Sequence, residues 1–311
     1  MNIAILGATS FLAQRCSTEL LRKGHFLTLY SRSKSDGSSI RGNVEWREFD
    51  INGVADIFHA LESFDVIINC IGAGIQSDHT DTLDEIWLAN AFVPIRLIEH
   101  LNEKKYAGLL FTFGSYFEIG ESQERPLFSE KEFVTHRASL PNAYCRSKKV
   151  LTDYVASRHI SSIPFKHLHC ILTNIYGVGE NRNRLIPYIF KHAIDGVPLH
   201  FSSGNQLRQY THVDDIAEWL GGVISDERIS TGILNLTDET IYSVKQVIMK
   251  ALSRLNTEGY NVSKVTFGEA TKRDSSMSFL GLSSSRAMSD FGWDPKKSLD
   301  MGIDEYYEHF K

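Results

Sequence analysis

Only four of the 311 residues are cysteine, and Cys16, Cys70, Cys145 and Cys170 form no C-x-x-C pair. That spacing argues against a disulfide framework or a cysteine-based zinc site, and predicts reduced, mostly buried thiols in a cytosolic protein. An excess of charge of one sign is missing as well: 33 basic against 38 acidic residues leave a formal charge of −5. Such a balance gives no electrostatic footprint for nucleic acid or a membrane surface, and neither is expected as a partner. No apolar run approaches membrane-spanning length. The apolar start of "MNIAILGATSF" is too short for a signal peptide and has no basic region before it. There are no repeats and no Pro/Gly/Ser-rich linker. One large core, or two lobes sharing an interface, is expected in the cytoplasm.

What is present is an alternation. "NIAILGA", "HFLTLYS", "NVEWREF", "FDVIINCIG", "YAGLLFTFGS" and "FKHLHCILTN" read as strands. Between them "SFLAQRCSTELLRKG", "NGVADIFHALES", "TLDEIWLANAFVPIRLIEHLNE" and "NAYCRSKKVLTDYVASRH" have helical spacing, the first with Gly24 as its stop. Strands alternating with helices, and apolar on both faces, predict a parallel sheet covered on both sides. After about Asn174 the pattern loosens. "LIPYIFKHAIDG", "VDDIAEWLGGVIS", "SVKQVIMKALSRL" and "LDMGIDEYYEHF" read as helices, "VPLHFSS" as a strand, and "TGILNLTD" as a strand added to the first sheet. A cleft between the lobes would lie at the carboxyl ends of the parallel strands.

"ILGATSFLA" ends the first strand and opens the first helix, where free backbone N–H groups attract a pyrophosphate. Gly7 permits the tight turn. Ser10 and Ala13 stand where a G-x-x-G-x-x-G pattern has glycines, so the Ser10 hydroxyl meets the place of a backbone approach. The second strand ends in Ser31 and Arg32 with no acid. An acid there would bind the ribose 2′-hydroxyl of NAD, whereas Arg32 favours a 2′-phosphate; NADP(H) is therefore expected ahead of NAD(H). The arginines of "ENRNRLIP" form a small cluster that suits an anionic ligand as well as a solvated loop.

"PNAYCRSKKV" puts Tyr144 four residues before Lys148, on one helix face. A lysine so placed is expected to lower the phenol from its usual value of about 10 and make it a usable acid or base. At this point the sequence resembles the extended short-chain dehydrogenase/reductase family, in its nucleotide-sugar epimerase/dehydratase/reductase branch, over nearly its whole length. The motifs run in order: "GATSFLA", "FDI", "VIINCIGAG", Asn90 in the helix after it, "FTFGSYFEIG", "PNAYCRSK", "LTNIYGVGE", "GNQLRQYTHVDDIAE" and "SDFGWDP", with Phe291 for the leucine of the last.

The resemblance implies a Rossmann-type α/β fold, a doubly wound parallel sheet with a smaller, mostly C-terminal substrate-binding lobe. Residues 1–172 would bind the cofactor, with 207–238 returning to them, and residues 173–206 and 239–311 would bind the substrate. It implies a catalytic set of Ser115, Tyr144 and Lys148, Ser115 being five before Gly120. It places the cofactor against Gly7, Thr9, Ser10, Phe11, Leu12, Ser31, Arg32, Asp50, Ile51, Cys70, Ile71, Gly72, Asn90, Tyr144 and Lys148, and the substrate against Ser115, Asn174 and Arg208. Simpler roles compete: Asp50 as a helix cap, Arg208 as an edge charge paired to Asp214 or Asp215. "HLH" puts His167 and His169 on one strand face, but no third ligand follows with sensible spacing and no metal is expected.

Relatives that dehydrate carry an acidic pair, or Asp-Gln, directly after the Ser/Thr; here Tyr116 and Phe117 stand there, which speaks against a 4,6-dehydratase. The expected activity is reduction of a nucleoside-diphosphate-linked 4-keto-6-deoxy sugar by NADPH, serving a surface polysaccharide such as O-antigen. A nucleotide-sugar 4-epimerase, a reductase of non-sugar carbonyls and a non-catalytic NADP-binding regulator are the competing expectations. The helices holding Asn90 and Tyr144 would form the interface of a homodimer, as in many relatives.

Overall fold

A computed structural model describes the chain except residues 33–39, 54, 75–80, 124, 161–162, 228, 258, 261–264 and 269–275. The first half runs β1 (Asn2–Leu6), α1 (Phe11–Arg22), β2 (Phe26–Ser31), β3 (Val44–Glu48), α2 (Ala55–Leu61), β4 (Val66–Asn69), α3 (Leu83–Trp87), a π-helical turn (Leu88–Phe92) and α4 (Val93–Glu103). It continues with β5 (Leu109–Ser115), a 3-10 turn (Tyr116–Ile119), α5 (Glu130–Thr135), α6 (Ala143–Ile160) and β6 (Lys166–Leu172). The second half follows as β7 (Asn174–Tyr176), α7 (Leu185–Ile194), β8 (Leu199–Phe201), β9 (Leu207–Arg208), β10 (Tyr210–His212), α8 (Val213–Val223) and β11 (Gly232–Leu236). It closes with β12 (Tyr242–Ser243), α9 (Val244–Thr257), β13 (Val265–Phe267), α10 (Ser285–Phe291) and α11 (Leu299–Phe310).

Seven parallel strands form one sheet in the order β11-β6-β5-β4-β1-β2-β3. β4 and β5 are buried at every position, so both sheet faces must be covered by apolar surface. Alternate residues serve different faces: Ile3 and Ile5 join a core with α1 and α8, while Ala4 and Leu6 join one with α4 and α6. A third core, with Phe190, Ile248 and Ile303, lies among α7, α9 and α11 in the smaller lobe. "TGILNLTD" does supply the added strand, as β11 beside β6. This is the Rossmann-type doubly wound fold.

The long helical reading from Thr82 to Glu103 is interrupted by the π turn. Pro94 has no N–H for the Asn90 carbonyl four residues back, and its ring crowds that carbonyl, so the helix widens there. The tail signature acts as a clasp. Trp293 Nε1 donates to the Thr237 carbonyl (2.8 Å), Trp219 Nε1 donates to the Phe291 carbonyl (2.8 Å), and the two indoles meet edge to face. Among the described residues no helix is long and apolar enough to cross a membrane.

Candidate active site

The strand order reverses between β1 and β4, and there the carboxyl ends open a crevice. Gly7 sits at its floor with φ +74°, and a Cβ would lie 2.9 Å from the backbone of Cys70 and Ile71. Only glycine satisfies both the left-handed turn and that approach. Ser10 caps α1: its Oγ accepts from Ala13 N–H, and its hydroxyl lies against the Cys70 thiol. The exposed Thr9, half-buried Phe11 and buried Leu12 complete the turn.

Across the crevice, Cys70, Ile71 and the exposed Gly72 lead out of β4. Asn90, fully buried on the π turn, holds this segment: its Oδ1 accepts from Ala73 N–H (3.1 Å), and its Nδ2 donates to the Ala73 carbonyl (2.9 Å) and to Ser147 Oγ on α6 (3.1 Å). Ser31 is buried at the end of β2 and Arg32 beyond it is exposed. Asp50 is exposed; its Oδ1 accepts from the backbone N–H and the side-chain amide of Asn52, tying off a local turn ahead of the half-buried Ile51. A narrow glycine turn and the N–H groups opening a twelve-residue helix together fit a nicotinamide dinucleotide.

Ser115 ends β5 and Tyr144 opens α6, and the serine hydroxyl lies within hydrogen-bonding influence of the phenol. Tyr144 is half-buried, its ring edge-on to Phe117. Lys148 is buried with Nζ donating to the Phe113 carbonyl (2.8 Å), and Cys70, beside Ser10, feels its charge. The three candidate residues and the glycine turn are thus brought together.

One expectation is corrected here. Burial pushes the Tyr144 phenol up to about 12; the Ser115 hydroxyl and, less strongly, Arg184 pull it down without reversing the shift. Loss of water around the phenolate outweighs the neighbouring cations, and Lys148 directs its ammonium to a carbonyl and is itself pushed down by burial.

Asn174 is half-buried on β7, where its backbone N–H donates to the Gln209 carbonyl (3.3 Å). Arg208 is 1% exposed, and its guanidinium donates to the carbonyls of Leu207 and Met277 (2.8 Å each). Asp214 instead pairs with Lys297 (2.8 Å) and Arg15 (3.5 Å), while Asp215 accepts from the N–H groups of Lys296 and Lys297. His167 and His169 both meet the Thr112 hydroxyl, at 2.8 and 2.7 Å.

Two residues escaped the sequence reading. Arg184, half-buried at the start of α7, acts electrostatically on Tyr144; the "ENRNRLIP" cluster was its only signal. Glu118, 3% exposed beneath Ser115, gave none, since its place in "GSYFEIG" follows neither strand nor helix spacing.

Fold and site define an extended short-chain dehydrogenase/reductase, an enzyme of the oxidoreductase type. A profile of the NAD dependent epimerase/dehydratase family matches residues 3–235, and the chain belongs to that family. It is similar to the CDP-abequose synthase of Salmonella muenchen, with 20% identity over 305 residues, 97% of this chain and 95% of the relative. Among solved structures it is similar to MoeE5 in complex with UDP-glucose and NAD (TM-score 0.82, 17% identity, 99% of this chain and 98% of that one). A second is the UDP-glucuronic acid 4-epimerase of Bacillus cereus in complex with UDP-glucuronic acid and NAD (TM-score 0.82, 16% identity, 100% and 99%).

Proposed function

We propose that the protein reduces the keto carbon of a nucleoside-diphosphate-linked 4-keto-6-deoxy sugar at the expense of NADPH. The observation that carries this is the half-buried Tyr144 beside Ser115, on the helix whose Lys148 acts on Cys70 against the Gly7 turn. A phenol and a hydroxyl so placed can protonate and hold a carbonyl oxygen while the bound dinucleotide supplies hydride.

When bound, the reduced nicotinamide supplies the hydride. Tyr144 gives its proton to the oxygen as the carbonyl carbon accepts the hydride, so one ketone, one hydride and one proton yield one secondary alcohol. Ser115 donates a hydrogen bond to the same oxygen and fixes its position. Lys148 would hold the nicotinamide ribose from its place against the Phe113 carbonyl. Tyr116 is fully buried and Phe117 packs on Tyr144, so neither of the two residues directly after Ser115 can serve as the acid of a dehydration. Asn174 and Arg184 line the substrate side, with Arg184 as the cation for a diphosphate. Arg208 braces the wall through the Met277 carbonyl. Similarity to a relative named for making a CDP-linked sugar supports the substrate class. That β2 ends in Ser31 and Arg32 rather than in an acid supports NADPH over NADH.

The test is a coupled assay of NADPH oxidation against dTDP-, CDP-, GDP- and UDP-linked 4-keto sugars. NADPH is expected to be consumed only when one of these is present. Tyr144→Phe should lower kcat by roughly 10²–10⁴ and leave the NADPH Kd within about twofold. Interconversion of sugars without net NADPH consumption would make the protein an epimerase. Nucleotide binding without turnover on any of the four would make it a regulator.

A further inference from the structure

Among the buried carboxyls that the reaction does not use, Glu118 is the one beneath Ser115. Glu118 occupies the third position of the 3-10 turn, where its Oε1 accepts the Ser115 N–H at 2.7 Å. Its Oε2 is buried, and the Thr152 hydroxyl is the hydrogen-bonding side chain that faces the carboxyl. β5 makes room for it by omitting a side chain: a Cβ on Gly114 would fall 2.9 Å from Glu118 Oε1 and 2.9 Å from His169 Nε2. Behind it runs a buried polar column, in which Thr152 Oγ1 meets His169 Nε2 (2.9 Å) and Thr112 Oγ1 meets His169 and His167. A serine cap needs an acceptor at this position, which glutamine supplies as well as glutamate. A buried ionisable carboxyl is costly unless something balances its charge.

Thr152, Lys149 and Lys148 all favour the ionised form of Glu118, and for Lys148 in turn Glu118 is the leading counter-charge. Lys148 Nζ and the Glu118 carboxyl reach the two peptide groups on either side of Gly114, the Phe113 carbonyl and the Ser115 N–H. We infer that Glu118 is a positioning residue: it fixes Ser115 from beneath and supplies the buried counter-charge that keeps Lys148 an ammonium. The inference rests on the roles given above to Ser115 and Lys148, and goes beyond them in naming what sets the lysine's charge.

Burial pushes the Glu118 carboxyl up and the Lys148 ammonium down, and each opposes the other's shift. The other groups facing the carboxyl are, on α6, Tyr144, Cys145, Thr152 and Lys149, the last already paired to Asp153 (3.0 Å), and on β6, His169. Cys70, after β4, faces Lys148. The sign follows. At low pH Glu118 is protonated and Lys148 loses its partner, so turnover rises as the carboxyl ionises and falls where the lysine deprotonates.

The experiment uses Glu118→Gln, which keeps the acceptor for Ser115 and removes the charge. Its kcat profile should lose the acid limb and show its alkaline limb moved down by roughly one to three pH units; Glu118→Asp should restore the limb toward wild type. A substrate-free readout is infrared difference spectroscopy of the protonated carboxyl. Its titrating band should be absent in Glu118→Gln and should move to higher pH in Lys148→Met, where Glu118 itself is intact. A Glu118→Gln profile with both limbs in place, or a carboxyl band unmoved by Lys148→Met, overturns the inference. If none of the keto sugars is turned over, the proposed reaction fails while the infrared titration still decides the coupling.

Discussion

The proposed preference for NADPH rests on one exposed side chain, Arg32. It stands past the end of β2 where an acid would repel a 2′-phosphate, and its charge helps hold Glu85 on α3 ionised. Replacement by alanine removes a charge-assisted bond to phosphate and leaves the rest of the dinucleotide site alone. Arg32→Ala should raise the Kd for NADPH about tenfold, equivalent to ~1.4 kcal/mol, and leave NADH within about twofold, as read by fluorescence titration. Equal losses for both nucleotides would mean that Arg32 does not read the phosphate. Tyr144 teaches the opposite lesson. Its spacing to Lys148 was plain in the sequence, yet the direction of its shift was not, because spacing carries no information about how much water the fold removes.

Among the elements, the interrupted helix from Leu83 to Glu103 does most to build the crevice. Apolar spacing alone marks the helix: Val93, Leu97, Ile98 and Leu101 are buried along one stripe of α4. The π turn was not legible, although its cause, Pro94, is in the sequence, because a proline kinks, breaks or widens a helix according to what packs beside it. Here the widening carries Asn90, fully buried, to the loop after β4, where it makes two bonds to Ala73 and one to Ser147. Asn90→Ala should free that loop and weaken dinucleotide binding about tenfold, with each bond contributing ~1 kcal/mol; calorimetric titration reads it. Undiminished affinity would show that the loop is held by other means. The short α5 went unread for a different reason, being under two turns and marked only by a Ser129–Glu132 capping box.

At the scale of the molecule, α3, the π turn and α6 pack together and leave Leu83, Phe92 and Val150 exposed at 61%, 51% and 41%. Apolar residues gathered on neighbouring elements favour a second copy as their cover. Sedimentation equilibrium is expected to give the mass of two chains, and Phe92→Asp to shift it toward one. A single-chain mass for the wild type at micromolar concentration would remove the expectation of a homodimer. The tail is fastened into the core of the large sheet: the Trp219–Trp293 clasp ties α8 to the segment after α10, which is why a signature near residue 293 matters to a sheet that begins at residue 2.

The sequence by itself determined the sheet, the glycine turn and the candidate triad, since these rest on short-range rules: two-residue and 3.6-residue periods, a turn that only glycine accepts, and side chains four apart on a helix. Tertiary structure decided the rest. It paired His167 and His169 with Thr112, turned Arg208 onto backbone carbonyls, and set Glu118 under Ser115. The physical reason is that charge, protonation and partner choice depend on which groups lose water together, and that is fixed by residues far apart in the chain.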